Sequence, residues 1–323
     1  MKDPRELYEL SGAPSYGAPA LIALNGYVDA GQAASAAAQH LVETHSARII
    51  ARFDVDQLVD HRSRRPIITY DRDHYTDYQA PELVVRVVTD DAGKDFLLIT
   101  GPEPDYQWER FSAAMAILLG ELGCTLAVTL HGIPWGAPHT RPVGVTAHSV
   151  DPTLIADHHP LPEKMQFPSS IEALLEVRLP QAHIRTVGFS VHVPHYLAGG
   201  EFPAGSVRLV DTAADVAELS LAVPDLRSAA DEYLRELDQL VAQNPENAEA
   251  IGQMEAAYDQ AVAGRELPAE PQPKKVEESE IPSGDQLAAE FEQFLKKSGK
   301  DDDGMGPDGM GPGGSQPFGG SGQ

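Results

Sequence analysis

Four short segments carry the residue types that do chemistry. The densest is His131-Gly132-Ile133-Pro134-Trp135-Gly136-Ala137-Pro138-His139-Thr140-Arg141-Pro142. It combines His, Trp and Arg with rigidifying Gly and Pro, as does a loop that recognises an anionic or aromatic small molecule or makes a subunit contact. Arg141 stands out because the chain holds 24 Lys and Arg against 49 Asp and Glu. A second segment, Asn25-Gly26-Tyr27-Val28-Asp29-Ala30-Gly31, lies between an apolar run and an Ala-rich stretch, where an open α/β sheet binds its ligands. Backbone N–H groups at that helix start can hold an anion, and Asp29 can equally serve only as a helix cap. The third, Gly101-Pro102-Glu103-Pro104, aims Glu103 at the same sheet edge as Asp29. Two carboxylates there can do acid–base work or bind a cation. The plainer alternative is that Glu103 favours the start of the following helix through its dipole.

The fourth segment, Ser190-Val191-His192-Val193-Pro194-His195-Tyr196, has two histidines three residues apart. Neither it nor His158-His159 is accompanied by Cys or by a helical His-Glu-x-x-His, so these histidines read as structural or pocket-lining and no metal is expected. Gly26 and Gly31 are not followed by Lys-Ser/Thr, and Gly-x-Gly-x-x-Gly is absent, so no nucleotide cofactor is expected either. Gly188-Phe189-Ser190-Val191-His192 is not a Gly-x-Ser-x-Gly nucleophile elbow. Cys124, between a helix and an apolar strand, reads as buried. The candidate pocket is therefore Asn25, Gly26, Asp29, Gly31, Glu103, His131, His139, Arg141 and His195, with no residue assigned to catalysis.

The elements that must position these residues alternate in type. Ala20–Leu24 reads as a strand, Gln32–Thr44 as a helix and Arg48–Phe53 as a strand, a βαβ opening that favours a parallel sheet. Leu83–Thr89 and Phe96–Thr100 flank Asp90-Asp91-Ala92-Gly93 as a β-hairpin. A long helix over Gln107–Leu122 places Trp108, Phe111, Met115, Leu118 and Leu119 on one face. Thr125–Leu130 and Val143–Ala147 are strands separated by the His-rich loop, and a helix over Ser170–Leu179 precedes a strand over Ile184–Phe189. Helices are expected at Ala204–Leu219, Leu226–Ala242 and Glu246–Ala261, the last two as an αα-hairpin.

Composition narrows the function classes. The chain has 323 residues, 42% of them hydrophobic, enough to bury a core. A net charge of −25 argues against nucleic acid and against anionic lipid as partners. One cysteine excludes an internal disulfide framework. The charged start Met-Lys-Asp-Pro-Arg-Glu does not read as a signal peptide, and no apolar run approaches a membrane span, so a soluble cytoplasmic protein is expected. Residues 265–323 hold 6 of the Lys and Arg and 12 of the Asp and Glu, in Pro/Gly-rich sequence that reads as a disordered acidic tail after a domain over 1–264, whose part from about 204 is helical. Within the tail, Leu287, Phe291, Phe294 and Leu295 share one helical face, either a frayed helix or a linear motif that folds on a partner.

Taken together, Asn25–Gly31, Gly101–Pro104 with Trp108, Pro138–Pro142, Val193-Pro194-His195-Tyr196-Leu197, and a closing helix with Glu255 and Tyr258-Asp259 resemble the proteasome assembly chaperone 2 family, in its actinobacterial branch. The resemblance covers roughly residues 5–262. It implies a three-layer α/β/α sandwich similar to purine nucleoside phosphorylase, with a C-terminal helical hairpin. It also implies a homo-oligomer, since proteins of this fold commonly form trimers or other rings, and proteasome α subunits as partners. Eukaryotic members of this kind can dock through a C-terminal hydrophobic-Tyr-any tripeptide, whereas this chain ends Gly-Gly-Ser-Gly-Gln, so that route is not expected. The sequence thus supports a non-catalytic interaction protein. The alternative is a small-molecule-binding protein or enzyme in a phosphorylase- or hydrolase-like pocket, where Arg141 would hold an anion and Asp29 or Glu103 would act as base or cation ligand.

Overall fold

The order of elements follows from where the chain is apolar on both faces. A computed structural model describes residues 2–158 and 164–263, all within one compact unit. The tail with its Leu287/Phe291/Phe294 face, and His159, lie outside the described residues. The described residues form ten strands: β1 (Tyr8–Leu10), β2 (Ala20–Asn25), β3 (Ser46–Phe53), β4 (Thr69–Asp71), β5 (His74–Thr76), β6 (Val84–Thr89), β7 (Asp95–Pro102), β8 (Leu126–Trp135), β9 (Val145–His148) and β10 (Arg185–Pro194). The helices are α1 (Ala33–Thr44), α2 (Val55–Leu58), α3 (Trp108–Glu121), α4 (Ile171–Arg178), α5 (Pro203–Ala217), α6 (Pro224–Gln243) and α7 (Pro245–Ala263).

Eight strands form one mixed sheet in the order β1-β3-β6-β7-β2-β8-β10-β9. β2 is parallel to β7 and β8, and β10 is parallel to β8; β6 is antiparallel to both β3 and β7, and β9 is antiparallel to β10. β2 and β3 therefore run the same way, as a βαβ unit requires, but the β6–β7 hairpin is inserted between them. The second sheet is the small hairpin β4–β5.

Helices cover both faces, giving three layers. Phe111, Met115, Leu118 and Leu119 of α3, with Ile171 and Leu175 of α4, pack on Ile22, Leu24, Leu97, Ile99 and Ala127. Helices α1 and α5 pack against each other and on the opposite face. Helices α6 and α7 form the expected C-terminal hairpin. Among the described residues no helix is long and apolar enough to cross a membrane.

Two boundaries differ from the sequence reading in ways that matter. β8 continues through His131–Trp135 and β10 through Ser190–Pro194, so the first five residues of each motif, expected to lie beyond the strands, are strand. The two pair in unbroken parallel register from Arg185↔Leu126 to Pro194↔Trp135. β2 pairs with β8 only as far as Thr129, so Pro134 sits where one edge of the strand has no ladder partner, a place proline is tolerated.

The β6–β7 turn also fastens α5. Asp90 is buried, and its carboxylate accepts from the backbone N–H groups of Lys94 (2.7 Å), Ala92 (3.0 Å) and Ser220 (2.7 Å). The Lys94 ammonium donates to the carbonyls of Ala217 and Glu218 at the end of α5. Burial opposes the Asp90 charge, but these backbone donors hold its carboxyl below the usual range. A depressed acid contributes stability above its unfolded pKa and loses it as pH falls through the folded value. Asp90→Ala should therefore cost about 2 kcal/mol in urea unfolding at neutral pH, with the deficit shrinking below about pH 4.

Candidate functional site

The loops after β2 and β7 are joined by one carboxylate. Glu103 follows Pro102 at the end of β7, and its backbone N–H donates to the Asn25 carbonyl at 2.9 Å. Its Oε2 accepts from Tyr27 N–H (3.0 Å) and its Oε1 from Ile171 N–H (2.9 Å) at the start of α4. The helix end that Glu103 favours is therefore that of α4, 68 residues away, not that of the following helix α3. Gly26 is required beneath it, because a Cβ there would collide with the Glu103 carboxylate. Asp29 caps α1: its Oδ1 accepts from Ala34 N–H at 2.8 Å and its Oδ2 from the Ser35 hydroxyl at 2.5 Å. Burial raises the Asp29 pKa, and these bonds only partly offset it. Gly31, at φ 67°, lets the chain turn into α1 beside Phe202 and Val193. Asn25 is exposed and lines a groove of about 270 Å³ with Ser35, Gln39, Arg86 and Thr100.

His131 belongs to a second cluster, built around a glycine. Gly188 on β10 stands opposite Thr129 on β8 and His148 on β9. With no side chain there, a pit opens in the sheet, and a Cβ would collide with the His148 ring and the Glu176 carboxylate that fill it. Glu176, on α4, places Oε1 2.6 Å from the Thr129 hydroxyl and 3.1 Å from His131 Nε2. Its Oε2 lies 2.6 Å from His148 Nδ1, and His148 Nε2 lies 3.1 Å from the Ser190 hydroxyl. Although burial disfavours its charge, the His148 and His131 rings hold the Glu176 carboxyl down at about 2, while Glu176 raises His148. One turn earlier on α4, Glu172 is 1% exposed and its Oε2 has no hydrogen-bond partner. Burial first, then the charges of Glu103 and Asp29, push it up to about 8. This part of the site can hold a proton or a cation.

The remaining candidates sit elsewhere and fasten the C-terminal hairpin. Arg141 donates through Nε and Nη2 to both carboxylate oxygens of Asp259, and through Nη1 to Glu255 at 3.1 Å. Its guanidinium is thus engaged by α7 rather than presented to an anion. His139 is buried, with Nδ1 2.6 Å from the Tyr196 hydroxyl and Nε2 3.2 Å from Asp238 of α6. Desolvation keeps both His139 and His195 below the ordinary histidine range. His192 stacks on Trp135 at 3.9 Å between ring centroids, and burial lowers it to about 4. Cys124 is buried, as expected, and burial pushes its thiol up to about 11.

The structure therefore brings Asn25, Gly26, Asp29, Gly31 and Glu103 together at the β2–β7 edge, with His131 nearby, while His139 and Arg141 join the helical hairpin. Sequence reasoning missed Thr129, His148, Glu172 and Glu176. The one clue to them was Gly188, placed between the apolar Val187 and Phe189 of a buried strand.

The model of the PAC2 family matches residues 23–241. A Mycobacterium tuberculosis protein of unknown function, Rv2714, is 38% identical over 80% of this chain and 90% of its own, with a TM-score of 0.77. A Corynebacterium glutamicum protein of unknown function is 34% identical over 79% of this chain and 98% of its own, with a TM-score of 0.75. The M. tuberculosis proteasome-assembly chaperone homologue Rv2125 is 26% identical over 71% and 98%, with a TM-score of 0.66. No curated protein matches.

Two outcomes follow from this geometry. An acid with a raised pKa contributes stability below its unfolded value, near 4.3, and loses it as pH rises through its folded value, here about 8. Glu172→Gln should flatten that decline and leave the protein more stable than wild type at pH 8.5, by about 1 kcal/mol or more in urea unfolding. Arg141→Ala should speed amide hydrogen exchange throughout α7 by tenfold or more while leaving the exchange of β8 and β10 unchanged.

Proposed function

The chain belongs to the PAC2 family, and from that membership we propose that it works as a proteasome assembly chaperone-like protein, a non-catalytic homo-oligomer that binds proteasome α subunits in the cytoplasm. Residues 1–264 form the interacting body in this reading. Relatedness to a chain described as a proteasome-assembly chaperone homologue supports it. So does the engagement of the candidate pocket residues, since Asp29, Glu103, His139 and Arg141 all hold elements of this fold together.

The observation that carries the reading is the β4–β5 hairpin. It projects Tyr70 (61% exposed) and Tyr75 (68% exposed), with Ile67 and Tyr78 beside them also exposed. The Tyr70 and Tyr75 rings meet edge to face, 5.1 Å between centroids. Aromatic side chains gathered on the surface are the common anchors of protein interfaces. The acidic surface fits a protein partner better than nucleic acid or membrane.

Native mass spectrometry of the protein mixed with cognate proteasome α subunits tests this. A defined complex at micromolar concentration is expected. The double variant Tyr70→Ser/Tyr75→Ser should lose that complex with an unchanged Tm. Absence of any complex with wild type removes the partner, and full binding by the double variant removes the hairpin as the contact.

A further inference from the structure

We propose that His131, His148 and Glu176 bind a divalent first-row transition-metal ion of the zinc and cobalt class, in a site between β8, β9 and α4. One ligand atom from each lies within 4.8 Å of the other two. His131 Nε2 and Glu176 Oε1 are 3.1 Å apart, close to the roughly 3.4 Å that bonds of about 2.1 Å to a tetrahedral ion impose on its ligands. Two imidazole nitrogens and a carboxylate oxygen suit such an ion and disfavour magnesium or calcium, which take oxygen.

Groups around the trio orient it for this role. The Ser190 hydroxyl, 3.1 Å from His148 Nε2, can accept the proton of that nitrogen and so leave the Nδ1 lone pair for the ion. Thr129 donates to Glu176 and fixes the carboxylate plane. The Gly188 pit gives the carboxylate and the ring their space.

Charge supplies an independent argument. Glu103, Glu172, Glu176 and the partly buried Asp29 lie along one stretch of the molecule. Among the described residues, the donors to their carboxylates are backbone N–H groups, the hydroxyls of Ser35, Thr129 and Ser170, and the rings of His131 and His148, with no Lys or Arg. Glu176 has the His131 and His148 imidazoles beside it, but Glu103, Glu172 and Asp29 accept from no basic side chain, and buried carboxylates of that kind are stabilised by a cation. The Glu172 Oε2 atom, buried and without a hydrogen bond, sits one turn before Glu176 on the same helix face. The His148 side chain is 39% exposed while that of His131 is 4% exposed, so the ion enters beside His148 and keeps a position there for water. This site is separate from the β4–β5 hairpin and does not depend on the docking reading.

The full chain, stripped with a chelator, is titrated with Co²⁺ and with Zn²⁺. One ion per chain should bind at micromolar concentration, Co²⁺ should give the visible absorption of a four- or five-coordinate site, and Tm should rise. His148→Ala should weaken binding at least tenfold and abolish that absorption, with an unchanged far-ultraviolet circular dichroism spectrum without metal. Glu176→Gln should do the same. His74→Ala, which removes an exposed histidine beside Asp73, should bind as wild type does. Binding no tighter than millimolar overturns the proposal, and so does wild-type affinity in His148→Ala, which would assign the ion to exposed acidic groups.

Discussion

The molecule is organised around a constraint that its own composition creates, because an acidic chain has brought Glu103, Glu172 and Asp29 inside without a Lys or Arg donor to their carboxylates. Glu103 illustrates the solution. Its two oxygens accept backbone N–H groups from the β2 loop and from the start of α4, so one charge fixes three segments that are remote in sequence. Asp29 does the same for the start of α1. Charge-assisted bonds to N–H groups that would otherwise be orphaned at helix starts serve two needs at once, since they solvate the carboxylate and cap the helix. Glu172 is where the device is incomplete, and its proton is the remaining means of lowering its charge.

This accounting separates what the sequence could reveal from what it could not. Ala20–Leu24, the Asp90–Gly93 turn and the α3 face were legible because local periodicity and turn chemistry act within a few residues. So was the capping role of Asp29, which concerns a helix beginning four residues later. The cluster around Glu176 was not legible, because Thr129 and His148 lie 47 and 28 residues from Glu176 along the chain. Glu176 by itself is an ordinary polar residue of a short helix, and His148 ends a four-residue strand. Strand register sets Thr129 and His148 on either side of Gly188, and α4 lays Glu176 against them, an arrangement that depends on the whole sheet. The misplaced ends of β8 and β10 have a related cause. Gly and Pro punctuate isolated strands, but in a strand held along its length by a partner they are tolerated wherever one edge is free.

Position on the sheet also explains why one long motif divides into two roles. His131 lies within β8 and faces α4, whereas Ala137 onward leaves the sheet and meets α6 and α7. A reading that treats His131, His139 and Arg141 as one loop merges a buried hydrogen-bond centre with a clamp. The clamp is largely polar. Among the described residues of α6, Ala230 and Leu237 are the buried ones, while Thr140, Arg141 and His139 reach Glu255, Asp259 and Asp238 across the junction.

A junction of that kind behaves differently from a core. Burial of apolar surface is nearly indifferent to ionic strength, whereas partly exposed ion pairs weaken as salt screens them within a Debye length of about 8 Å at physiological strength. The body of the fold, with Phe96, Phe111 and Phe189 fully buried, is held by the first kind of interaction, and the attachment of α7 mainly by the second. Detachment of α7 therefore costs less than opening of the sheet. In the proposed docking on other subunits, an element of that kind can yield or rearrange while β8, β10 and the buried carboxylates keep their places.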